Sequence, residues 1–555
     1  VRLVQEGMNM PGWIVRFSVP LILLLLSGLF MLLATRAPGA LWGLAFTLPL
    51  LAIAALDFVQ KKHSLRRNYP LIARFRWLFE DLRPYLRSYI VESNQDGRPF
   101  DKNARALVYA RSKNQTSTHP FGTELDVYSD EYEWLSHSVA PNESVPAEFR
   151  LAIGGPQCTR PYSAAILNIS AMSFGSLGGK AIAALNLGAK RGNFYHDTGE
   201  GSFSKYHALH DGDIVWELGS AYFGCRDAQG HFDEDAFRKT ASLDQIKMIE
   251  IKLSQGAKPG HGGVLPGAKV TPEIAETRGI PVGEDCVSPA AHSAFSTPLE
   301  LLAWAARLRE LSGGKPVGIK LCVGQPHEVF AIIKAMLESG TLLDFIVVDG
   351  AEGGTGAAPV ELSNRVGMPL REGLILVRNA LVGAGLKDQI SLGAAGKVVS
   401  GAGLAINMAL GADWCNAARA FMFSLGCVQS MKCHTGDCPT GVATQDESRQ
   451  RALVIEDKAE RVYQFQKQTV SALRDIVVAM GLESPWQIRP HHLHERLNAA
   501  KSSSIDHIYP FLENGALLDA PGDTPYAQYW AAAQTGSFRA VPAVKQTQYE
   551  KTAAR

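Results

Sequence analysis

From about residue 151 to 445 one pattern repeats: a short apolar β-type run, a glycine-bearing turn, then an Ala-rich helical run. Ala164–Ile169 precedes Gly179–Lys190, Val317–Leu321 precedes Glu328–Glu338, and Phe345–Val348 leads into a glycine loop. Ile390–Leu392 precedes Gly403–Leu410, and Trp414–Ala417 leads into a cysteine-rich loop. Strands that alternate with helices lie parallel, and over some three hundred residues the natural closure is a (β/α)8 barrel, an α/β TIM-barrel fold.

The N-terminus obeys another rule. Residues 17–35 form an uncharged, Leu-rich run between Arg16 and Arg36, and 37–56 form a second that ends at Asp57. Each is long enough to cross a hydrocarbon core of ~30 Å as a helix. Arg36-Ala37-Pro38-Gly39 is the turn between them, so the pair reads as a transmembrane hairpin. Lys61, Lys62, Arg66 and Arg67 follow it and outweigh Arg36 in the turn. The positive-inside rule then puts both ends, and the large C-terminal portion, on the cytoplasmic side of the cell inner membrane. Four regions are expected: the hairpin over 1–60, juxtamembrane helical or irregular chain over 61–150, the barrel over 151–445, and C-terminal helices and tail over 446–555. Within the last, 446–500 reads as helical, and the Ala-, Thr- and Gln-rich stretch after about 520 reads as poorly ordered.

Composition excludes two classes. A formal net charge of +1 over 555 residues makes no case for a nucleic-acid partner. Eight cysteines in so long a chain do not suggest a disulfide framework, and a reducing compartment fits better. Three of the eight cluster. Cys427, Cys433 and Cys438 are separated by five and then four residues in a run broken by glycine and proline. Three soft sulfur ligands on one loop suit an iron–sulfur cluster. The alternatives are a structural zinc site completed by His434, or three unrelated core thiols. Cys158, Cys225, Cys286, Cys322 and Cys415 stand singly, as small buried hydrophobes do.

Glycine loops follow the late strands: Asp349–Gly356 after Phe345–Val348, Gly393–Gly396 after Ile390–Leu392, and Ala417-Ala-Arg419 after the next run. Late barrel loops are where backbone N–H groups cradle phosphate, so the series points to a phosphate-bearing cofactor. No Gly-x-Gly-x-x-Gly opens a βαβ unit, so no nicotinamide dinucleotide site is expected. Lys252 and Lys320 lie in strand-like surroundings, where a lysine aimed into the barrel mouth can neutralise an anionic ring or hold a carboxylate. A solvated strand-end lysine is the plainer reading of either alone. Glu200 and Glu352 can accept hydrogen bonds or protons, or be ordinary turn carboxylates. His261 and His292 are isolated, as structural histidines are.

These residues together resemble the FMN-binding synthase domain of the glutamate synthase family. The matching stretches, in order, are Ala171-Met-Ser-Phe-Gly-Ser176, Thr198-Gly-Glu-Gly201, Gln255-Gly-Ala-Lys-Pro-Gly260, Leu265-Pro-Gly267, Ser288-Pro289, Ile319-Lys-Leu321, Gly353–Pro359, and Leu425–Cys427 through Cys438–Gln445. The hairpin and Arg66-Arg-Asn-Tyr-Pro70 resemble a membrane-anchored branch of that family. The resemblance implies a (β/α)8 barrel with FMN held by Ala171, Met172, Ser173, Lys252, Gln255, Lys320, Gly353, Gly354, Thr355, Gly396, Ala418 and Arg419. It implies a [3Fe-4S] cluster on Cys427, Cys433 and Cys438, and catalytic work by Lys320, Lys252, Glu200 and Glu352. The implied reaction is reductive amination of 2-oxoglutarate to L-glutamate, with electrons from a ferredoxin or a reductase subunit.

The chain also departs from the family pattern. Membrane segments stand where a glutaminase domain is found in the family, so no built-in ammonia source is expected, and no C-terminal β-helical domain is expected either. His261 replaces Glu in Pro-Gly-Glu-Gly-Gly, Ala351-Glu352 replaces a His-Asp pair, and Ala395 replaces Asp before Gly396. These changes bear on substrate more than on cofactors. The competing readings are an FMN and iron–sulfur enzyme for another 2-oxo or amino acid that exchanges electrons with a membrane carrier, and a non-catalytic membrane scaffold.

Overall fold

The computed structural model describes residues 12–118 and 120–541. The chain divides into two compact units, 1–97 and 98–555. In the first, helix α1 (Gly12–Ala34) turns through Pro38–Ala40 into α2 (Leu41–Val59). Within them Phe17–Ala34 and Pro38–Val59 are long and apolar enough to cross a membrane, at about 27 and 33 Å of helix. The pair is held by an edge-to-face contact of Phe17 with Phe58 and a 2.8 Å hydrogen bond from Ser27 Oγ to Thr47 Oγ1. Their outer faces expose Leu25, Leu32, Trp42 and Phe46. In the last turn of α2, Asp57 takes both Nε and Nη2 of Arg74 at 2.8 and 2.7 Å, fixing helix α3 (Arg74–Leu86) to the end of the hairpin.

The second unit is built on a closed parallel barrel. Its strands are β1 (Leu167–Ile169), β2 (His196–Asp197), β3 (Ile214–Leu218), β4 (Ile246–Lys252), β5 (Val317–Leu321), β6 (Phe345–Asp349), β7 (Ser391–Ala395) and β8 (Trp414–Ala417), with β8 pairing back to β1. The expected TIM-barrel architecture is therefore present. Helices α4 (Lys102–Ser112), α5 (Gly179–Gly192), α6 (Glu234–Ala241), α7 (Pro298–Leu311), α8 (Pro326–Ser339), α9 (Leu370–Gly383), α10 (Gly401–Ala409), α11 (Arg419–Leu425) and α12 (Ile455–Ala479) complete the layer. Their ends follow from local chemistry. Pro298 opens α7 behind a Thr297/Glu300 capping box, and Gly340, at φ +67°, closes α8.

Alternation along each strand sends one set of side chains inward. At the base these are Tyr195, Val215, Met248, Phe345, Val347, Ala395 and Trp414, packed with Ile153 and Tyr162 of an antiparallel hairpin (Arg150–Ile153 with Tyr162–Ala165) that covers the barrel's N-terminal end. Glycines make room for the largest rings. A Cβ on Gly318 would strike Phe345, and one on Gly393 would lie 2.5 Å from the Trp414 indole. Above this plug the inward positions are charged: Asp197, Glu217, Glu250 and Lys320, all buried.

Several boundaries differ from the sequence reading. Ala164–Ile169 is not one strand, because the chain passes from the base hairpin into the barrel at Ile166. Gly393–Ala395 belong to β7 rather than to a loop, since Gly393 packs under Trp414. The cysteine loop follows α11, not β8 directly. Leu493–Asn498, within a stretch read as helical, pairs antiparallel with Glu133–Leu135 and Lys501–Ser504. The described part of the region after 520, to residue 541, carries regular structure. A helix at Ala527–Ala532 packs on α8, where Lys334 Nζ donates to Trp530 O and Ala533 O. The rest of that tail, 542–555, lies outside the described residues.

Candidate active site

Lys320 and Lys252 are neighbours in register on β5 and β4. Lys320 Nζ lies 2.7 Å from Glu217 Oε2 and 3.9 Å from Glu250 Oε1. Burial alone would strip its proton, but Glu217, Glu250 and Asp197 outweigh that and hold it charged well above the usual lysine range. Asp197, Glu217 and Glu250 converge within 4.8 Å of one another. Burial first, then the neighbouring carboxylates, raise both Asp197 and Glu250. The group is a carboxylate nest occupied by the Lys320 ammonium.

One turn toward the mouth, Lys252 Nζ meets Glu200 Oε2 at 3.0 Å. Burial works to raise the Glu200 carboxyl, but Lys252, then Lys258 and Arg278, bring it below its ordinary value. Glu200 thus stays ionised in a cleft. The loop that carries it presses on the Ala171–Ser173 loop. Gly199 has φ +62°, and a Cβ there would sit 2.8 Å from Ser173 N. On the other side Gly263 abuts the Glu200 carboxylate so closely that a Cβ would collide with Oε1.

The late loops are tied together by Asp349, whose Oδ2 accepts from Gly256 N at 2.9 Å. That bond seats the Gln255 loop against the loop bearing Gly353, Gly354 and Thr355. Glu352 faces away from the mouth: its Oε2 accepts from Leu370 N at 3.0 Å, and its backbone carbonyl accepts from Arg419 Nη2 at 2.6 Å. The Arg419 guanidinium lies over Phe100, and a side chain on Gly354 would run into it at 2.6 Å. Gly396 and Ala418, at the ends of β7 and β8, border the same opening. Glycines that leave no room for a Cβ, two lysines on adjacent strands and an arginine beside Gly354 suit a phosphate-bearing, anionic ring cofactor.

Cys427, Cys433 and Cys438 lie on the one loop that follows α11. Cys433 and Cys438 each act electrostatically on Cys427. Gln429 N donates to Cys427 Sγ at 3.5 Å, Thr440 Oγ1 lies 3.5 Å from Cys438 Sγ, and the buried Lys269 ammonium donates to Cys433 O at 3.0 Å. Sulfur ligands of one zinc sit about 3.7 Å apart. Among the described residues the only three potential ligand atoms within 4.8 Å of one another are the carboxylates of Asp197, Glu217 and Glu250. Thiolates on separate irons of a cluster stand farther apart, and N–H donors and a cation around sulfur are what such a cluster uses. The donor set fits an iron–sulfur cluster better than zinc. His434 is exposed. Of the single cysteines, Cys225, Cys286, Cys322 and Cys415 are buried and Cys158 is half-buried. His292 is structural, bonded to Lys252 O and beside the Tyr222 hydroxyl.

Sequence reading passed over Glu217, Glu250, Asp349, Lys258 and Arg278. Glu217 and Glu250 carried a signal. Each is a lone acid inside an apolar strand run, Ile214–Leu218 and Ile249–Ile251, where a charge needs a buried partner.

A family model described as the conserved region in glutamate synthase matches residues 153–483. The chain is 34% identical over 514 residues to the glutamate synthase large subunit-like protein YerD of Bacillus subtilis (strain 168), covering 84% of this chain and 97% of that one. It is 33% identical over 321 residues to an archaeal-type glutamate synthase (NADPH) of Thermotoga neapolitana, and 34% over 322 residues to an archaeal glutamate synthase (NADPH) of Methanocaldococcus jannaschii. Each of these last two matches covers 58% of this chain and 60% of the relative.

Proposed function

The chain belongs to the glutamate synthase family, and from that premise we propose that it is a membrane-anchored FMN and iron–sulfur oxidoreductase that makes L-glutamate from 2-oxoglutarate and ammonia. The observation that carries this reading is the placement of two lysines in register on adjacent strands, Lys320 paired to Glu217 and Lys252 paired to Glu200, with glycine loops beside them. When bound, FMN supplies two electrons as a hydride equivalent, and the cluster supplies electrons one at a time.

The chain's own residues bind, hold charge and move protons. Lys320, fixed and permanently charged, compensates negative charge at the base of the cradle. Gly353–Thr355, Gly396 and Arg419 supply the phosphate end. Lys252 and Lys258 offer cations to substrate carboxylates at the mouth. Glu200, ionised beside Lys252, accepts the proton that ammonia sheds as it adds to the 2-oxo carbon, and returns one as water leaves the carbinolamine. The overall change is 2-oxoglutarate plus ammonium, two electrons and two protons, giving L-glutamate and one water. Cys427, Cys433 and Cys438 would hold a [3Fe-4S] cluster, and a ferredoxin or a reductase subunit would supply the electrons.

The apolar helices α1 and α2 cross the inner membrane, and the four cations at 61–67 keep the barrel on the cytoplasmic face. The hairpin also supports a second reading, in which a different 2-oxo or amino acid is the substrate and electrons pass to or from a membrane carrier. His261 and Glu352 depart from the family pattern, which favours that alternative for the substrate. Anaerobic absorbance and EPR spectra of detergent-purified protein, followed by a screen of 2-oxo acids against the reduced flavin, test the proposal. Colourless protein contradicts it. So does a reduced flavin that another acid reoxidises while 2-oxoglutarate with ammonium does not.

A further inference from the structure

Helix α3 (Arg74–Leu86) has an apolar face that nothing in its own unit covers. Phe75, Leu78, Phe79, Leu82 and Leu86 are all exposed. Their spacing of three, four, seven and eleven from Phe75 puts them within an arc of about 100° at 3.6 residues per turn. Ile90 and Val91, just beyond, are exposed as well. Scattered exposed hydrophobes are ordinary, but a continuous stripe of large ones marks a surface with a partner.

We propose that α3 lies in the plane of the membrane surface, with this stripe sunk into the acyl boundary of an anionic leaflet. Three observations choose lipid as the occupant. The stripe is continuous with an apolar hairpin, because the bidentate Asp57–Arg74 pair and the Leu71 N to Asp57 Oδ2 bond fasten the start of α3 to the end of α2. Its free edge is cationic: Arg76 and Arg83 border it, where long side chains reach headgroups while their stems stay in hydrocarbon. Across residues 61–91 eight lysines and arginines face only two carboxylates, Glu80 and Asp81. Both acids lie off the stripe, and Glu80 is already bonded to Arg76. Among the described residues no carboxylate pairs with Lys61, Lys62, Arg67 or Arg83, so these charges are available to anionic phosphates.

The inference rests on the membrane-anchored reading, and its test separates the two. A photo-reactive p-benzoylphenylalanine replaces Phe79, Asp81 or Leu29, one at a time, in the full chain. Each variant is placed in nanodiscs of phosphatidylcholine with phosphatidylglycerol, illuminated, and read by mass spectrometry. Lipid adducts at 29 and at 79, several-fold above those at 81, are the expected result. Lipid at 29 with only protein adducts or solvent quenching at 79 overturns the surface-lying helix and leaves the anchor standing. Equal lipid labelling at 79 and 81 overturns the face assignment. No lipid at 29 overturns the anchor and the inference with it.

Discussion

The ammonium of Lys320 sits 2.7 Å from Glu217 Oε2 inside the barrel, with both side chains almost sealed from solvent. Breaking a buried pair from one side leaves a stranded charge, at a cost of roughly 3–5 kcal/mol. Lys320→Met should therefore lower stability by that order in thermal unfolding, and abolish turnover. The double variant Lys320→Met/Glu217→Gln should recover most of the stability and none of the activity. Recovery of both would remove Lys320 from the chemistry.

The same nest gives a pH dependence of known sign. Asp197 and Glu250 are raised by burial, so folding favours their protonated forms. Their contribution is fully present below the ordinary carboxylate range and is lost as pH rises through their raised folded values. Each such proton tilts stability by up to about 1.4 kcal/mol per pH unit in that window. Unfolding midpoints should fall from mildly acidic to mildly alkaline pH, and Glu250→Gln should flatten the fall. An unchanged slope in Glu250→Gln would show that this carboxyl does not hold the proton.

Glu200 runs the other way. Lys252 is the main influence that overcomes burial and brings its carboxyl down, so it is ionised throughout the working range. Glu200→Gln should cut kcat by about 10²–10⁴ if it moves a proton. A change confined to KM would instead make it a binding group.

Much of this was legible in the sequence and some was not, for physical reasons. The barrel could be read because β5, β6 and β8 are short apolar runs bounded by turn residues, and the structure places β5 and β8 at the expected ends. Lys252 and Lys320 were visible as charges within such runs. Their pairing was not, because Glu217 and Glu200 come from strands and loops far along the chain and meet the lysines only when the barrel closes. The break at Ile166 was hidden because strands on either side of it are equally apolar. Gly393 reads as a loop residue until Trp414, twenty-one positions on, is seen to need its space.

Core glycines give a test of packing alone. A Cβ at Gly393 would meet the Trp414 ring at 2.5 Å, with Phe345 close behind. Gly393→Ala should lose about 1–3 kcal/mol of stability as the rings are forced off their rotamers. Gly356→Ala, where nothing lies within 4 Å of the new carbon, should unfold at nearly the wild-type temperature.

The cysteine loop separates cluster from core. Serine at Cys427, Cys433 or Cys438 should each abolish the EPR signal of the oxidised cluster, while Cys415→Ala leaves it intact. Survival of the signal in any of the three would break the ligand assignment.

The most direct test is a single turnover. Protein reduced anaerobically by dithionite, freed of excess reductant, is mixed with 2-oxoglutarate and ammonium while flavin absorbance is followed and L-glutamate is quantified. Reoxidation of the flavin with one glutamate formed for each flavin is the expected result. A flavin that stays reduced with these reactants, and is reoxidised by a different 2-oxo acid, would contradict the account.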